Sequence, residues 1–261
     1  MFNFFRILFS PIIAILDFIT KYFKTIVFLT IIYFVVTPSN ENLTDVNSHA
    51  NLQKIELTGP IMDVSKTLED IQKAKEDKNI KGVLFVVNSP GGAVAPSVEL
   101  AYAIKELKEI KPVVVYASGV IASGSYYASI WANKIIANPG SIVGSIGVIM
   151  QGVNTEELME KIGVSTQTVK AGKYKESGTP TRKWFDYEEK QLQSVIDDTY
   201  NMFISDVASA RNLDVKNHTL FADAKIFTSK QAKEVGLVDE VATISFAQNE
   251  LAILSKVENP I

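Results

Sequence analysis

The chain of 261 residues has no cysteine and only two histidines, His49 and His218. The absence of cysteine excludes disulfide bonds, cysteine nucleophiles and thiolate metal sites. Its 26 basic and 29 acidic residues give a net charge of −3 without any basic block, which argues against a nucleic-acid partner. With 14 glycines, 9 prolines and 47% apolar residues, the composition excludes a disordered or collagen-like chain. The length allows one large folded domain or two small ones.

The first 37 residues are unusually apolar and aromatic, and they predict an N-terminal membrane anchor over residues 1–37. The uncharged run Thr25–Thr37 contains 10 apolar residues in 13. As a helix it would reach only about 20 Å of a roughly 30 Å hydrocarbon core. Including the preceding aromatics and the stem of Lys24 extends the predicted span to about residues 22–37.

The basic residues of this region all precede the span, namely Arg6, Lys21 and Lys24. The positive-inside rule therefore puts the N-terminus in the cytoplasm and the remaining chain outside. A cleaved signal peptide and a buried core helix are alternative interpretations, although no small-x-small cleavage site follows the run. Residues 38–51 are polar, rich in asparagine and serine, and predict a linker.

From Leu52 onward, strand and helix patterns alternate, which predicts an α/β domain with a mainly parallel sheet. We assign residues 52–255 to this domain and residues 256–261 to a C-terminal tail. Strands are predicted at Leu52–Leu57, Gly82–Val87, Val113–Ala117, Lys134–Ala137 and Thr166–Lys170. The principal predicted helices are Pro96–Leu107, Ser123–Ala132, a long one from Asp186 to about Arg211, and a last one that starts at Thr228 and stops at Gly236.

Two glycine-bearing loops, Asn88–Gly92 and Ser118–Ser129, follow buried strands at the edge where parallel sheets form their sites. Ser123 falls at a predicted helix start, where free N–H groups and the positive dipole end favour negative charge. The N–H of Gly124, with that of Gly91 or Gly92, could stabilise an oxyanion. Losing one such donor costs about 3–4 kcal/mol in a transition state. Serine and glycine could equally just cap and pack the helix.

A serine nucleophile needs a base, and neither histidine stands in a setting that suggests one. Lysine can replace histidine when burial lowers its pKa, because desolvation disfavours the ammonium form. The stretch Val169–Trp184 holds five basic residues, which are Lys170, Lys173, Lys175, Arg182 and Lys183. The sequence pattern alone does not indicate which of these residues would be the general base.

Four ordered motifs, NSPGG, ASGSYYAS, GSIGVIMQ and AGKYKESGTPTR, resemble the signal peptide peptidase A family of membrane-bound serine proteases. The resemblance runs from about Leu52 to Val241. It implies a Clp-protease/crotonase-like fold, a repeated ββα superhelix with a mainly parallel sheet, and a Ser/Lys dyad that needs no metal or cofactor.

By this resemblance Ser123 is the nucleophile and Lys175, rather than Lys173, is the general base. Ser145 falls on the family's GS-[IL]-G serine, to which we assign the role of orienting the lysine amine. The glycines after NSP imply an oxyanion contribution from Gly91 more than Gly92, beside that of Gly124. Ser125 departs from the family, which often has glycine there, and it offers a second hydroxyl as a lesser candidate nucleophile.

The function implied is a membrane-anchored serine endopeptidase that cleaves peptides such as released signal peptides outside the cytoplasmic membrane of a bacterium. Single-domain members of the family form rings, so we expect a homo-oligomer, such as an octamer, whose subunits share the dyad. Two other interpretations stay open. One is a non-catalytic anchored scaffold ring, and the other is a crotonase-like acyl-thioester enzyme that uses paired N–H groups without a serine nucleophile.

Overall fold

The structure is a computed structural model that describes residues 17–25, 27–29 and 51–258. Residue contacts divide the chain into two units, residues 1–49 and 50–261. In the first unit, residues 17–25 form helix α1, and residues 27–29 are also helical. The predicted span at 22–37 and the linker at 38–51 fall largely outside the described residues. In the described ranges, no helix has both the length and the apolar character needed to cross a membrane.

The second unit alternates strands and helices. Its strands are β1 Leu52–Thr58, β2 Gly82–Ser89, β3 Val113–Ala122, β4 Lys134–Ala137, β5 Ile142–Gly144, β6 Ile226–Thr228 and β7 Glu240–Val241. Its helices are α2 Ser65–Glu76, α3 Val94–Lys108, α4 Gly124–Ser129, α5 Glu156–Lys161, α6 Asp186–Arg211, a 3₁₀ helix Val215–Leu220, α7 Ser229–Glu234 and α8 Ile244–Ser255.

These strands form one sheet in the order β1-β2-β3-β4-β7, with β5 paired to the end of β3 and β6 paired to β5. All pairs are parallel except β5 with β6. The carboxyl ends of β2 and β3 therefore lie side by side, as the strand–helix alternation predicts. The predicted α/β class with a mainly parallel sheet is confirmed.

Helices cover both faces of the sheet, which explains why its central strands are continuous apolar runs. Along β2, Val83, Phe85 and Val87 belong to the main core, whereas Leu84 belongs to a second, smaller core. The second core is completed by Ala247 and Leu251 of α8. The alternation follows from the two-residue period of a strand, which sends successive side chains to opposite faces.

Several predicted elements are confirmed, among them the long helix α6 and the capping box of α7, in which Thr228 and Gln231 bond each other's backbone. Three predictions were wrong. No strand forms at Thr166–Lys170, because those residues are exposed and pair with no other strand. Strand β3 continues to Ala122 instead of ending at Ala117. The helix that ends before Gly236 is not the last, since α8 follows it.

The longer β3 has a local cause at its junction with β2. The register of the pair shifts between Val87 and Ser89, and Ser89 then pairs with Ile121. The side chain of Asn88 accepts a 3.0 Å hydrogen bond from the N–H of Val120 within this irregularity. A β-bulge of this kind lets a strand continue while its direction changes, so β3 delivers the next residues to the sheet edge at a new angle.

Candidate active site

Ser123 stands at the sharp turn between β3 and α4. Its backbone is left-handed, with φ 53° and ψ −126°, a conformation that costs a non-glycine residue about 1–3 kcal/mol. Two hydrogen bonds hold it there: its N–H donates to the carbonyl of Gly144 at 2.8 Å, and its carbonyl accepts from Tyr127 N–H at 3.0 Å. Ser123 is half-buried, so the turn leaves the residue partly accessible to solvent.

Glycines are required on both sides of this turn because backbone segments meet there. A Cβ at Gly91 would lie 2.8 Å from Ser123 Cβ and 2.6 Å from the nitrogen of Gly124. A Cβ at Gly124 would lie 2.2 Å from Ser97 Oγ. The loop after β2 therefore packs directly against the start of α4, which brings both predicted glycine-bearing segments to one place.

The N–H groups of Gly92 and Gly124 are the two candidate oxyanion donors beside Ser123. Gly91 N–H donates instead to Ser89 Oγ at 3.2 Å. Neither Gly92 nor Gly124 has an acceptor for its N–H in the described part of the chain, and both line a cleft with Ser123. The sequence-based preference for Gly91 over Gly92 thus conflicts with the hydrogen bonding, since an N–H already committed to a side chain is a poorer oxyanion donor.

Ser125 is unsuited to be a nucleophile because its hydroxyl is wholly buried and fully engaged. It accepts from Ala122 N–H at 2.9 Å, and it lies 2.7 Å from the carbonyl of Ser89 and 2.9 Å from that of Ala122. These bonds tie the ends of β2 and β3 to the first turn of α4. Ser125 therefore stabilises the turn that carries Ser123, and Ser123 keeps the only free hydroxyl of the ASGS motif in the described structure.

The cleft beside Ser123 has a volume of about 100 Å³. Its walls come from the loop after β2 and from α3, α4, the segment after β5 and α6. They are mainly apolar, with side chains from Val94, Val98, Tyr127, Ile149, Met202 and Phe203. No charged side chain of the described residues lines it, so the cleft suits an apolar substrate side chain.

Tyr127 of α4 connects this helix, which begins after Ser123, to α6, which forms another wall of the cleft. Its ring packs edge-on against Phe203 with ring centroids 4.9 Å apart, and its hydroxyl donates to the carboxylate of Asp206 on α6. Burial, with the hydrogen bond to Asp206, raises the pKa of the Tyr127 hydroxyl. The hydroxyl therefore remains a donor at neutral pH, and the pair holds α6 against α4.

Ser145 lies beside Ser123 because it follows the neighbouring parallel strand. Ala122 pairs with Gly144, so the next residue on each strand is a serine. Ser145 also has a left-handed backbone, at φ 51°, and its N–H donates to the carbonyl of Lys225 at 2.7 Å. The structure thus brings together Ser123, Gly91, Gly124 and Ser145.

Lys175 is not among the residues that line the cleft. It lies exposed in a series of turns at residues 173–178, within a segment we term the arm, residues 150–185. Of the five basic residues considered in the arm, Lys170 pairs with Glu176, Lys173 with aromatic rings and Arg182 with Glu188. The side chains of Lys175 and Lys183 have no partner in the described part of the chain.

The histidines offer no alternative base in the described residues. His218 lies in the 3₁₀ helix, where its Nδ1 is 3.1 Å from the carbonyl oxygen of Val215, and it does not line the cleft. His49 falls outside the described residues. Within those residues, no group of three His, Cys, Asp or Glu side chains is placed to hold a metal ion.

Sequence reasoning overlooked the residues that α6 contributes to the cleft, namely Thr199, Met202 and Phe203. They lie about eighty residues after Ser123, on helix α6. The apolar periodicity of that helix shows only that one of its faces is buried, not what that face contacts. The two adjacent tyrosines of the ASGSYYAS motif were a usable signal, because buried tyrosines need partners for their hydroxyls.

Solved structures include a similar fold. The 1510-N membrane-bound stomatin-specific protease, in a serine-to-alanine mutant, matches with a TM-score of 0.52 over 78% of this chain and 85% of that one, at 15% identity. At this identity the match supports the fold alone.

Curated relatives extend the comparison to sequence. A putative protease of Methanocaldococcus jannaschii is 48% identical over 74% of this chain and 61% of its own length. A putative protease of Synechocystis is 40% identical over 80% of this chain and 76% of its own. A putative signal peptide peptidase SppA of Enterococcus faecium is 34% identical over 84% of this chain and 67% of its own. This chain therefore spans less than two thirds of the first of these relatives.

The family model of peptidase family S49 matches residues 105–258, more than half of the chain. The matched region includes the turn at Ser123, the arm and α6. With relatives named as proteases and as signal peptide peptidase SppA, these matches show that the chain belongs to peptidase family S49, the serine peptidase family of SppA.

Proposed function

We propose that this chain is a membrane-anchored serine endopeptidase in which Ser123 is the nucleophile and Lys175 of a neighbouring copy is the general base. The observation that carries the proposal is the strained turn at Ser123, a half-buried residue whose hydroxyl has no partner in the described structure and which shares a cleft with Gly92 and Gly124, whose N–H groups lack acceptors there. A nucleophile next to a ready oxyanion site is the arrangement that acyl transfer requires.

In the proposed reaction, Ser123 Oγ attacks a peptide carbonyl while the neutral amine of Lys175 takes its proton. The N–H groups of Gly92 and Gly124 hold the resulting oxyanion. The protonated lysine then gives its proton to the leaving amine, and the acyl-enzyme forms. Water, deprotonated by the same amine, releases the second product and restores the serine. Ser145, beside Ser123, would orient the amine through its hydroxyl.

The proposal that a second copy supplies Lys175 is supported by the exposed arm. Residues 161–175 are exposed throughout, and α5 buries none of its side chains. The arm also exposes at least half of each of several apolar side chains, which are Val153, Leu158, Ile162, Val164 and Val169. Several exposed apolar side chains on one segment are typical of a protein interface. If a neighbouring subunit of a ring covers the arm, Lys175 reaches the cleft of that subunit. The contact would also remove water from the amine of Lys175, which favours its neutral form.

The proposed substrates are peptides with apolar segments, such as signal peptides released near the bilayer. The apolar, uncharged lining of the cleft supports this class. The proposed arrangement has the anchor at residues 1–37, a linker at 38–51, the peptidase domain at 52–255 and a tail at 256–261. The catalytic domain would lie outside the cytoplasmic membrane of a bacterium, and the ring subunits would have the Clp-protease/crotonase-like superhelix.

An acyl-serine activity probe tests the proposal against its two alternatives. We expect covalent labelling of the assembled protein, with peptide mapping that places the adduct on Ser123. Labelling should disappear in Ser123→Ala and persist in Ser125→Ala. A scaffold ring or an acyl-thioester enzyme of the crotonase type would give no serine adduct. Peptide cleavage that survives in Ser123→Ala would overturn the assignment.

The choice of Gly92 over Gly91 has its own test. A structure of the Ser123 adduct should place the oxyanion oxygen about 2.7–3.1 Å from the nitrogens of Gly92 and Gly124. An oxygen bonded to Gly91 N–H, with Ser89 Oγ displaced, would restore the preference derived from the sequence.

A further inference from the structure

Apart from the ion pairs of Glu176 with Arg182 and Lys170, the turns that carry Lys175 have few bonds of their own to the body of the domain. Their backbone bonds are local: Lys175 N–H donates to Gly172 at 3.3 Å, and Ser177 N–H donates to Tyr174 at 3.0 Å. Lys175 itself is exposed. A base must be held within a fraction of an ångström of its productive position, so something beyond these local turns must orient the segment.

Lys173, two residues before Lys175, provides such a connection. Its ammonium lies 4.4 Å from the ring centroid of Tyr187 in the first turn of α6, and 5.5 Å from that of Tyr174. The rings of Tyr174 and Tyr187 pack edge-on at 5.4 Å. The hydroxyl of Tyr187 also donates to the carbonyl of Lys173 at 3.4 Å. One aromatic side chain of α6 thus holds the turn through both the side chain and the backbone of Lys173.

Tyr187 is itself held in a rigid setting. The adjacent Glu188 has a side chain that is inaccessible to solvent and receives two 2.8 Å hydrogen bonds from the guanidinium of Arg182. Glu188 also accepts from Phe185 N–H at 2.9 Å. Phe185 in turn stacks on Tyr187 and lies under the guanidinium of Arg182 at 4.2 Å. The first turn of α6 is therefore a fixed platform for the turns that carry Lys175.

We infer that Lys173 is a positioning residue for the reaction, because its cation–π contact with Tyr187 fixes the turn from which Lys175 reaches the nucleophile. The inference rests on the proposed function, in which Lys175 is the base. The contact with the ring uses the charged ammonium, so Lys173 serves as a cation and not as the proton acceptor. This gives the two lysines of the AGKYK stretch different roles that spacing alone does not distinguish.

Steady-state cleavage of an apolar peptide by the full chain tests the inference. Lys173→Gln should lower kcat by roughly tenfold to a hundredfold, as displacement of a catalytic group does, and leave KM within about twofold. Lys173→Arg keeps a cation over the ring and should restore most of kcat. Tyr187→Leu should reproduce the defect of Lys173→Gln, and Tyr187→Phe, which keeps the ring and loses only the 3.4 Å hydrogen bond to the carbonyl of Lys173, should show a smaller one. Lys190→Gln, a change of charge on the exposed part of the same helix, should have no effect.

The midpoint of thermal unfolding and the oligomeric mass should stay unchanged in Lys173→Gln, since a loss of fold or assembly would lower activity for another reason. A wild-type kcat in Lys173→Gln, or equal defects in the Gln and Arg variants, would overturn the inference. Lys175→Ala, measured in parallel, distinguishes a failure of the positioning role of Lys173 from a failure of Lys175 as the proposed base. If it abolishes cleavage while Lys173→Gln is normal, only the positioning role fails. If it cleaves normally, the proposed base fails and the positioning role with it.

Discussion

The N–H of Ser123 donates a 2.8 Å hydrogen bond to the carbonyl of Gly144, the residue immediately before Ser145. Two parallel strands, β3 and β5, thus end side by side, and each continues into a serine with a left-handed backbone. Such strain persists only where surrounding bonds impose it, and here the backbone N–H of each serine is held. The backbones of the two serines therefore have fixed positions relative to each other.

This relationship predicts a specific defect in Ser145→Ala. Without the hydroxyl that orients the amine, kcat for peptide cleavage should fall by about 10²-fold, while KM changes little. Because alanine tolerates φ 51° no better than serine, Ser145→Gly is the control that removes the hydroxyl without backbone strain. Equal defects in both variants would assign the loss to the hydroxyl. Wild-type kcat in both would exclude Ser145 from the mechanism.

Ser125→Ala should weaken the fold and spare the chemistry. It removes a buried hydroxyl and leaves the groups it bonded, chiefly the carbonyl of Ser89, without their partner. The free energy of unfolding, measured by denaturant titration, should fall by about 1–3 kcal/mol. Ser123→Ala should show the opposite pattern, with near wild-type stability and no activity. Loss of activity in a folded, fully assembled Ser125→Ala variant would contradict this division of roles.

A dyad shared between copies predicts that two inactive variants restore each other. Ser123→Ala and Lys175→Ala should each be inactive alone. Co-expressed in equal amounts, they should regain about a quarter of wild-type activity, because random mixing in a ring pairs an intact serine with an intact neighbouring lysine at that frequency.

The control for this experiment is co-expression of each variant with a chain that carries both substitutions. Those mixtures should stay inactive, since no subunit pair then contains both groups. Mixed rings shown by mass to contain both variants, yet without activity, would place the two residues of the dyad in the same chain.

Tyr127→Phe should alter substrate binding more than the chemical step. The ring that lines the cleft remains, but its bond to Asp206 is lost, so α6 is no longer fixed against α4. We expect KM for an apolar peptide to rise by roughly three- to tenfold, with kcat within about threefold of wild type. Asp206→Asn keeps an acceptor for the hydroxyl and should give a smaller effect. A fall in kcat at constant KM would count against a role in the cleft wall.

The pH dependence of stability should carry a contribution from Glu188. The hydrogen bonds from Arg182, with the backbone bond from Phe185, lower the pKa of Glu188 from 4.5 to about 2. The ionised form is thus favoured in the folded state. Its contribution is complete above pH 4.5 and is lost as the pH falls toward about 2.

Denaturant unfolding at a series of pH values checks this prediction. Glu188→Gln should be less stable than wild type near neutral pH, and its stability should vary less with pH between 4.5 and 2. Glu189→Gln, an exposed neighbour in the same helix, should follow the wild-type curve. Parallel acid curves for wild type and Glu188→Gln would show that the ion pair makes no such contribution.

Local patterns predicted much of the fold and part of the site. The apolar run that forms β2 and the helix start at Gly124 are visible in the sequence because they depend on neighbouring residues only. The extension of β3 to Ala122 and the absence of a strand at Thr166–Lys170 are not, since a strand exists only where a partner strand supplies hydrogen bonds. Helix α8 was missed although its apolar residues cover the second core.

The sequence by itself determined that a serine follows a buried strand at a glycine-bearing helix start, and that an N-terminal apolar region precedes an α/β domain. Only the tertiary structure decided which groups at that turn are free to react. Ser125 is bound to Ser89 from 36 positions away, and Tyr127 meets Asp206 from 79 positions away. Hydrogen bonds between distant segments decide which of these hydroxyls remain available, and no local pattern encodes those distances.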